Sequence, residues 1–138
     1  MPIAIIATEG VIPTTAQNDV FAAISELFLQ QHNLSGNAFL APNVIGEINV
    51  VPKTRSFAGG KPADIVIVEL KVPSFALGSD DQKQAFIRQA TDIIDRAADG
   101  RVARQHIYVN MVYTVDGLWG IGGKAYTNQG LLDAVAAA

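Results

Sequence analysis

The residue of this chain best placed to do chemistry is its second. Pro2 follows the initiator Met, and a small second residue is compatible with Met removal, which would leave a secondary amine at the start of the mature chain. An exposed amine of this kind titrates high. Apolar walls and nearby cations both disfavour its protonated form and bring its pKa toward neutrality, where it can act as a general base. The plainer role for Pro2 is to open a strand, since it has no N–H for a sheet ladder to miss. The other reactive side chains form no such site. His32 and His106 lie far apart in a chain without cysteine, with no carboxylates at ligand spacing, so no metal site is expected. Asp80-Asp81 suits a helix N-terminus, where the macrodipole favours negative charge. Gly59-Gly60-Lys61 and Gly122-Gly123-Lys124 lack phosphate-loop spacing and read as hairpin turns, with an anion nest at Lys124 as the alternative.

The elements that must position Pro2 occur twice. Ile3 to Ala7 is a short apolar run closed by Glu9-Gly10, which predicts a strand buried on both faces. Thr14-Thr-Ala-Gln17 has the capping-box pattern, and Val20, Phe21, Ile24, Leu27 and Phe28 follow at helical spacing as far as His32-Asn33. Val44 to Val51 predicts a second strand, weakened by Gly46 and ended by Pro52. The order then repeats. Ile65 to Leu70 is a strand, Ser79-Asp-Asp-Gln82 a capping box, and Phe86, Ala90, Ile93, Ile94 and Ala97 a buried stripe stopped by Asp99-Gly100. Arg104 to Val115 is the fourth strand, Asp116-Gly117 a turn, and Leu131 to Ala138 a short helical turn or tail. The expected fold is therefore α+β: one domain, 1–138, made of two β-α-β repeats (1–62 and 63–138). Right-handed crossovers make the strands of each repeat parallel. They give a four-stranded sheet with two helices on one face and leave the other face bare.

Composition narrows the classes further. With 49% hydrophobic and 17% charged residues, the chain is more apolar than a monomer surface requires, so self-association through the bare face is expected. A net charge of −3 without basic runs provides no footprint for nucleic acid. No stretch is long enough for a membrane span and no signal-peptide core follows the N-terminus, so a soluble cytoplasmic protein is the expectation.

A strand opened by Pro2-Ile3-Ala4, the duplicated β-α-β unit, Ser79-Asp80-Asp81-Gln82-Lys83 and the hairpin Gly120-Ile121-Gly122-Gly123 together resemble the tautomerase superfamily. The similarity is to 4-oxalocrotonate tautomerase and its fused, double-length relatives, and it covers nearly the whole chain. It implies a tautomerase-like fold, a homotrimer packed through its sheets, and no cofactor. The implied activity is a tautomerase or isomerase that moves a proton on a small unsaturated 2-keto or 2-hydroxy carboxylate, with Pro2 as general base once Met1 is gone. In the dehalogenase and decarboxylase branches the proline is instead a protonated acid. A non-catalytic trimeric binding protein on the same scaffold is the remaining alternative.

The departures from the family pattern define the site expectations. Val11 stands where 4-oxalocrotonate tautomerase has an arginine after Glu-Gly. Ile45 and Tyr108 stand at the place of its second substrate arginine in the two repeats. Lys71 is the single cation where the cis-3-chloroacrylic acid dehalogenase branch has two arginines. Asn110 replaces that branch's tyrosine, and its water-activating carboxylate has no secure match, although Asp116 is near. The resemblance thus implies Pro2 as the catalytic residue and Trp119 as the retained aromatic wall. Lys71, or Arg55 from a loop able to reach a neighbour, would bind the carboxylate, with Tyr108 and Asn110 as further substrate-binding positions.

Overall fold

The computed structural model describes residues 1–138. Two β-α-β units meet along their first strands. In the first, β1 (Pro2–Thr8), α1 (Thr14–Gln31) and β2 (Ile45–Val51) form a crossover with parallel strands, Pro2 opposite Ile45 through Thr8 opposite Val51. In the second, β5 (Val66–Pro73), α2 (Asp80–Ala98) and β6 (Ile107–Thr114) do the same, Val66 opposite Ile107 through Pro73 opposite Thr114. The antiparallel pair β1–β5 joins the units, so the sheet runs β2-β1-β5-β6. Two hairpins, β3–β4 (Phe57–Ala58, Lys61–Pro62) and β7–β8 (Trp119–Ile121, Lys124–Tyr126), are carried outside the sheet, and α3 (Asn128–Ala136) closes the chain.

Each repeated Gly-Gly sits at a hairpin tip with both φ angles positive, 57° and 75° at Gly59-Gly60 and 57° and 83° at Gly122-Gly123. A tight turn of this hand matches the strand twist and is costly for residues with a Cβ. Geometry therefore accounts for the glycines, and Lys124 lies over the Tyr126 ring at 4.5 Å.

Both helices cover one face of the sheet. Ile3, Ile5 and Ala7 of β1 and Val66, Val68, Leu70 and Val72 of β5 point into a continuous core with Ile24, Phe28, Phe86, Ala90 and Ile94. Phe28 and Phe86 meet edge to face across the helix pair, with centroids 6.3 Å apart. The expectation that β1 is buried on both faces is corrected here. Its burial alternates, because in the single chain no helix covers the outer face, where Pro2, Ala4 and Ile6 lie. Ile45, Tyr108 and Val112 are exposed on that face. Gly46 proves to be a requirement of close approach, since a Cβ there would meet the Ile3 carbonyl oxygen and the Phe21 ring.

The capping box is realised at α2, where the Ser79 hydroxyl accepts from the Gln82 N–H and the Gln82 side chain accepts from the Ser79 N–H. At α1 it is not. Pro13 takes the N-cap position, Thr14 is already helical, and Gln17 reaches back to the Ile12 carbonyl instead. The fourth strand starts later than the pattern implied, because Arg104–His106 forms a 3-10 turn. Arg104 there grips Asp92 and Asp95 of α2, and those two hydrogen bonds raise its guanidinium pKa. The C-terminal segment is a nine-residue helix capped by the Thr127 hydroxyl. No helix is long and apolar enough to cross a membrane.

Candidate active site

The antiparallel pairing of β1 with β5 decides what surrounds Pro2. Ile3 pairs with Leu70, so the next step of the ladder sets Pro2 beside Lys71, both on the outer face. The hairpin of the second unit then folds over this end of the sheet. The result is a cavity of about 370 Å³ lined by Pro2, Asn43, Ile45, Lys71, Leu118 and Trp119, among others. Lys71 is the only charged side chain in that lining. It is 60% exposed on its side chain and lies 4.0 Å from Glu69, so it is free to turn toward an anion. Trp119 is buried, with its neighbour Leu118 largely exposed at the rim.

Met1 sits inside this cavity and is itself buried. Its ammonium donates to the Asn43 carbonyl, and its carbonyl accepts from the Ile45 N–H at 3.2 Å. Burial pushes this amine down from 8.0 to about 6. This pocket therefore disfavours a positive charge on the Met1 nitrogen, through loss of hydration.

Arg55, Tyr108 and Asn110 are placed away from this cavity within the chain. Arg55 lies in an exposed 3-10 turn after β2. Tyr108 and Asn110 line a groove of about 340 Å³ with Phe57, Ile65, Ile67 and His106. That groove is the counterpart of the first in the second repeat, since Ile65 immediately precedes β5 much as Pro2 begins β1. There both main-chain groups of Ile65 are engaged. The Ile65 N–H donates to the Thr8 hydroxyl at 2.9 Å, and the Thr8 hydroxyl donates to buried Ser56 at 2.8 Å. The first end offers a chain terminus and a tryptophan; the second offers neither.

Several other positions resolve differently. Val11 is buried in the core. Asp116 accepts from the Asn128 N–H at the start of α3. Tyr113 donates from its hydroxyl to the Ala76 carbonyl. Asn43 and the main chain of Ile45 have no sequence signal as site residues, because their role depends on the register of β2 against Met1 and Pro2.

No family model matches the sequence, and a search of curated proteins finds no match. Solved structures do match, over nearly the full length. A fused 4-OT described as an asymmetric trimer is 17% identical, with a TM-score of 0.75 over 95% of this chain and 98% of that one. A member of the cis-3-chloroacrylic acid dehalogenase family is 14% identical, with a TM-score of 0.74 over 100% of both chains. A malonate semialdehyde decarboxylase inhibited by 3-bromopropiolate is 14% identical, with a TM-score of 0.66 over 88% and 89%. The chain has the tautomerase fold.

Proposed function

We propose, from that fold and the cavity at its first strand, that this protein is a cofactor-independent tautomerase acting on a small unsaturated 2-hydroxy or 2-keto carboxylate. The observation that carries the proposal is the convergence of Pro2, Lys71 and Trp119 on one cavity. With Met1 removed, the Pro2 nitrogen takes the enol O–H proton of the substrate. The O–H electron pair becomes the C=O π bond, and the C=C pair takes a proton from the prolinium at carbon, restoring the free amine. Lys71 holds the carboxylate through a charge-assisted hydrogen bond, and Trp119 keeps water from the nitrogen.

The apolar, buried Trp119 in this cavity would disfavour the protonated form of a freed Pro2 amine, which supports proline as a base rather than as the acid that dehalogenase- or decarboxylase-like chemistry would require. The bare outer face supports a homotrimer, as does the trimeric state described for the fused 4-OT neighbours.

The test compares ketonisation of phenylenolpyruvate by a Met-free and a Met-bearing form, each verified by intact mass, across pH. The Met-free chain is expected to turn over and the Met-bearing chain to be inactive, since its Pro2 nitrogen is an amide. Pro2→Ala in the Met-free form keeps an amine and retains a small fraction of the rate. Equal rates for the first two forms would leave Pro2 as a strand opener and put any chemistry elsewhere.

A further inference from the structure

The hairpin that walls the Pro2 cavity stands outside the main sheet. β7 and β8 pair only with each other, with Trp119 opposite Tyr126 as the last rung at the base. Yet this arm supplies Thr114, Leu118, Trp119 and Gly120 to the cavity lining. A two-stranded ribbon with three residues on each strand is too short to hold its own angle to a sheet, so its base must be fixed from outside.

Two hydrogen bonds that meet at Asn128 fix it. The Asn128 N–H donates to the Asp116 carboxylate at 2.6 Å, which joins the stretch entering the hairpin to the stretch leaving it. Its side-chain amide donates to the Ser74 hydroxyl at 2.8 Å. Ser74 directly follows β5, the strand that carries Lys71 and ends with Pro73 opposite Thr114. The exit arm has further holds, since Tyr126 packs on Phe39 with centroids 6.1 Å apart and Leu131 of α3 is buried. Before Trp119 the polar holds are fewer. The Leu118 N–H bonds back to the Val115 carbonyl within the arm itself, which leaves Asp116 to tie that side down.

We propose that Asp116 is a positioning residue: through Asn128 and Ser74 it holds the hairpin against the cavity, so that Trp119 keeps water from the Pro2 nitrogen. The proposal rests on the function above in taking the freed proline as the base. Asp116 itself lies outside the cavity lining. Its carboxylate makes a charge-assisted bond at the positive end of α3, which lets the contact persist at an exposed position.

The consequence follows from hydration. A released hairpin admits water to the Pro2 nitrogen, which stabilises the protonated amine, raises its pKa and leaves less free base at neutral pH. Lys71 and Glu69 of β5 and Glu47 of β2 are the charged side chains lining the sheet groove at Pro2, and they stay in place. Loss of the Asp116 charge by itself acts the other way, because removing a negative charge lowers an amine pKa. The two effects differ in sign.

The chain has one tryptophan, so its fluorescence reports on this hairpin directly. Asp116→Ala and Asp116→Asn are compared with the unaltered Met-free chain; asparagine keeps an acceptor oxygen for the Asn128 N–H but carries no charge. In Asp116→Ala, acrylamide quenching of Trp119 is expected to increase. The acid limb of kcat/KM for phenylenolpyruvate should move up by about one pH unit, with the rate recovering at alkaline pH. Asp116→Asn should keep both readouts near their unaltered values. Unchanged quenching or an unmoved acid limb in Asp116→Ala would overturn the proposal, and so would equal shifts in Asp116→Asn. Should Asp116→Ala fail to fold, Ser74→Ala, which removes one hydroxyl at an exposed position, decides by the same readouts, with smaller shifts of the same sign expected. Increased quenching in Asp116→Ala without turnover by any form would refute the catalytic assignment and leave the hold on the hairpin standing.

Discussion

The N–H of Leu77 donates to Nε2 of His32 at 3.0 Å, while Nδ1 of the same ring lies 2.8 Å from the Phe28 carbonyl. Because an N–H can only donate, Nε2 must be the acceptor, and the ring proton sits on Nδ1. The imidazole thereby ties the end of α1 to the loop between β5 and α2, at a fully buried leucine held at a φ of 50°. A left-handed leucine is a strained conformation that persists only when its surroundings enforce it. Replacing His32 by Leu strips the buried Leu77 N–H of its partner and should cost about 1–3 kcal/mol in denaturant unfolding. Activity per folded molecule should be unchanged, because the ring lies outside the cavity. An unfolding midpoint equal to that of the unaltered chain would mean that Leu77 holds its conformation unaided.

Lys71 is the one charged side chain lining the cavity shared by Pro2 and Trp119. Lys71→Ala in the Met-free form should lower kcat/KM for a carboxylate substrate by about tenfold. That is the low end for a charge-assisted hydrogen bond, because the side chain is solvent-screened. Assembly should survive. Unchanged kinetics would move the carboxylate anchor to Arg55 of a neighbouring subunit.

Stability of the Met-bearing chain should depend on pH through its terminus. The amine titrates at 8.0 when unfolded and at about 6 when folded. Between these values the unfolded chain carries a proton that the folded chain lacks, so stability should rise as pH increases from 6 to 8 and level off above. Thermal melts of this form, compared with an N-acetylated form that has nothing to titrate there, isolate the effect. Parallel profiles for the two would mean that the folded amine keeps its ordinary pKa.

The outer face of the sheet exposes Ile45, Tyr108 and Val112, with no helix of the chain to cover them. Sedimentation at micromolar concentration should give three times the 14.6 kDa chain mass. Tyr108→Glu, which places a charge on that face, should shift the population toward monomer. A stable monomer of the unaltered chain would leave the apolar face without its proposed partner.

The sequence by itself determined the repeated order of strand, helix and strand, the Ser79–Gln82 cap, the two Gly-Gly hairpins and the proline at the first strand. Each is written in residues a few positions apart, where periodicity, capping and turn chemistry act. The failures were also local contests. Thr14-Thr-Ala-Gln17 matched a capping box, yet Pro13 took the N-cap position with a φ of −54°, close to the angle its ring imposes. Tertiary structure alone decided the site. Lys71 stands beside Pro2 because β1 and β5 pair antiparallel in one register, and the pairing of β6 with β5 sets Tyr108 opposite Ile67 and Asn110 opposite Glu69, outside that cavity's lining. The main-chain groups of Asn43 and Ile45 carry no side-chain signal at all. Their meeting with Met1 depends on strand register, which is set by packing between segments that the sequence keeps 42 residues apart.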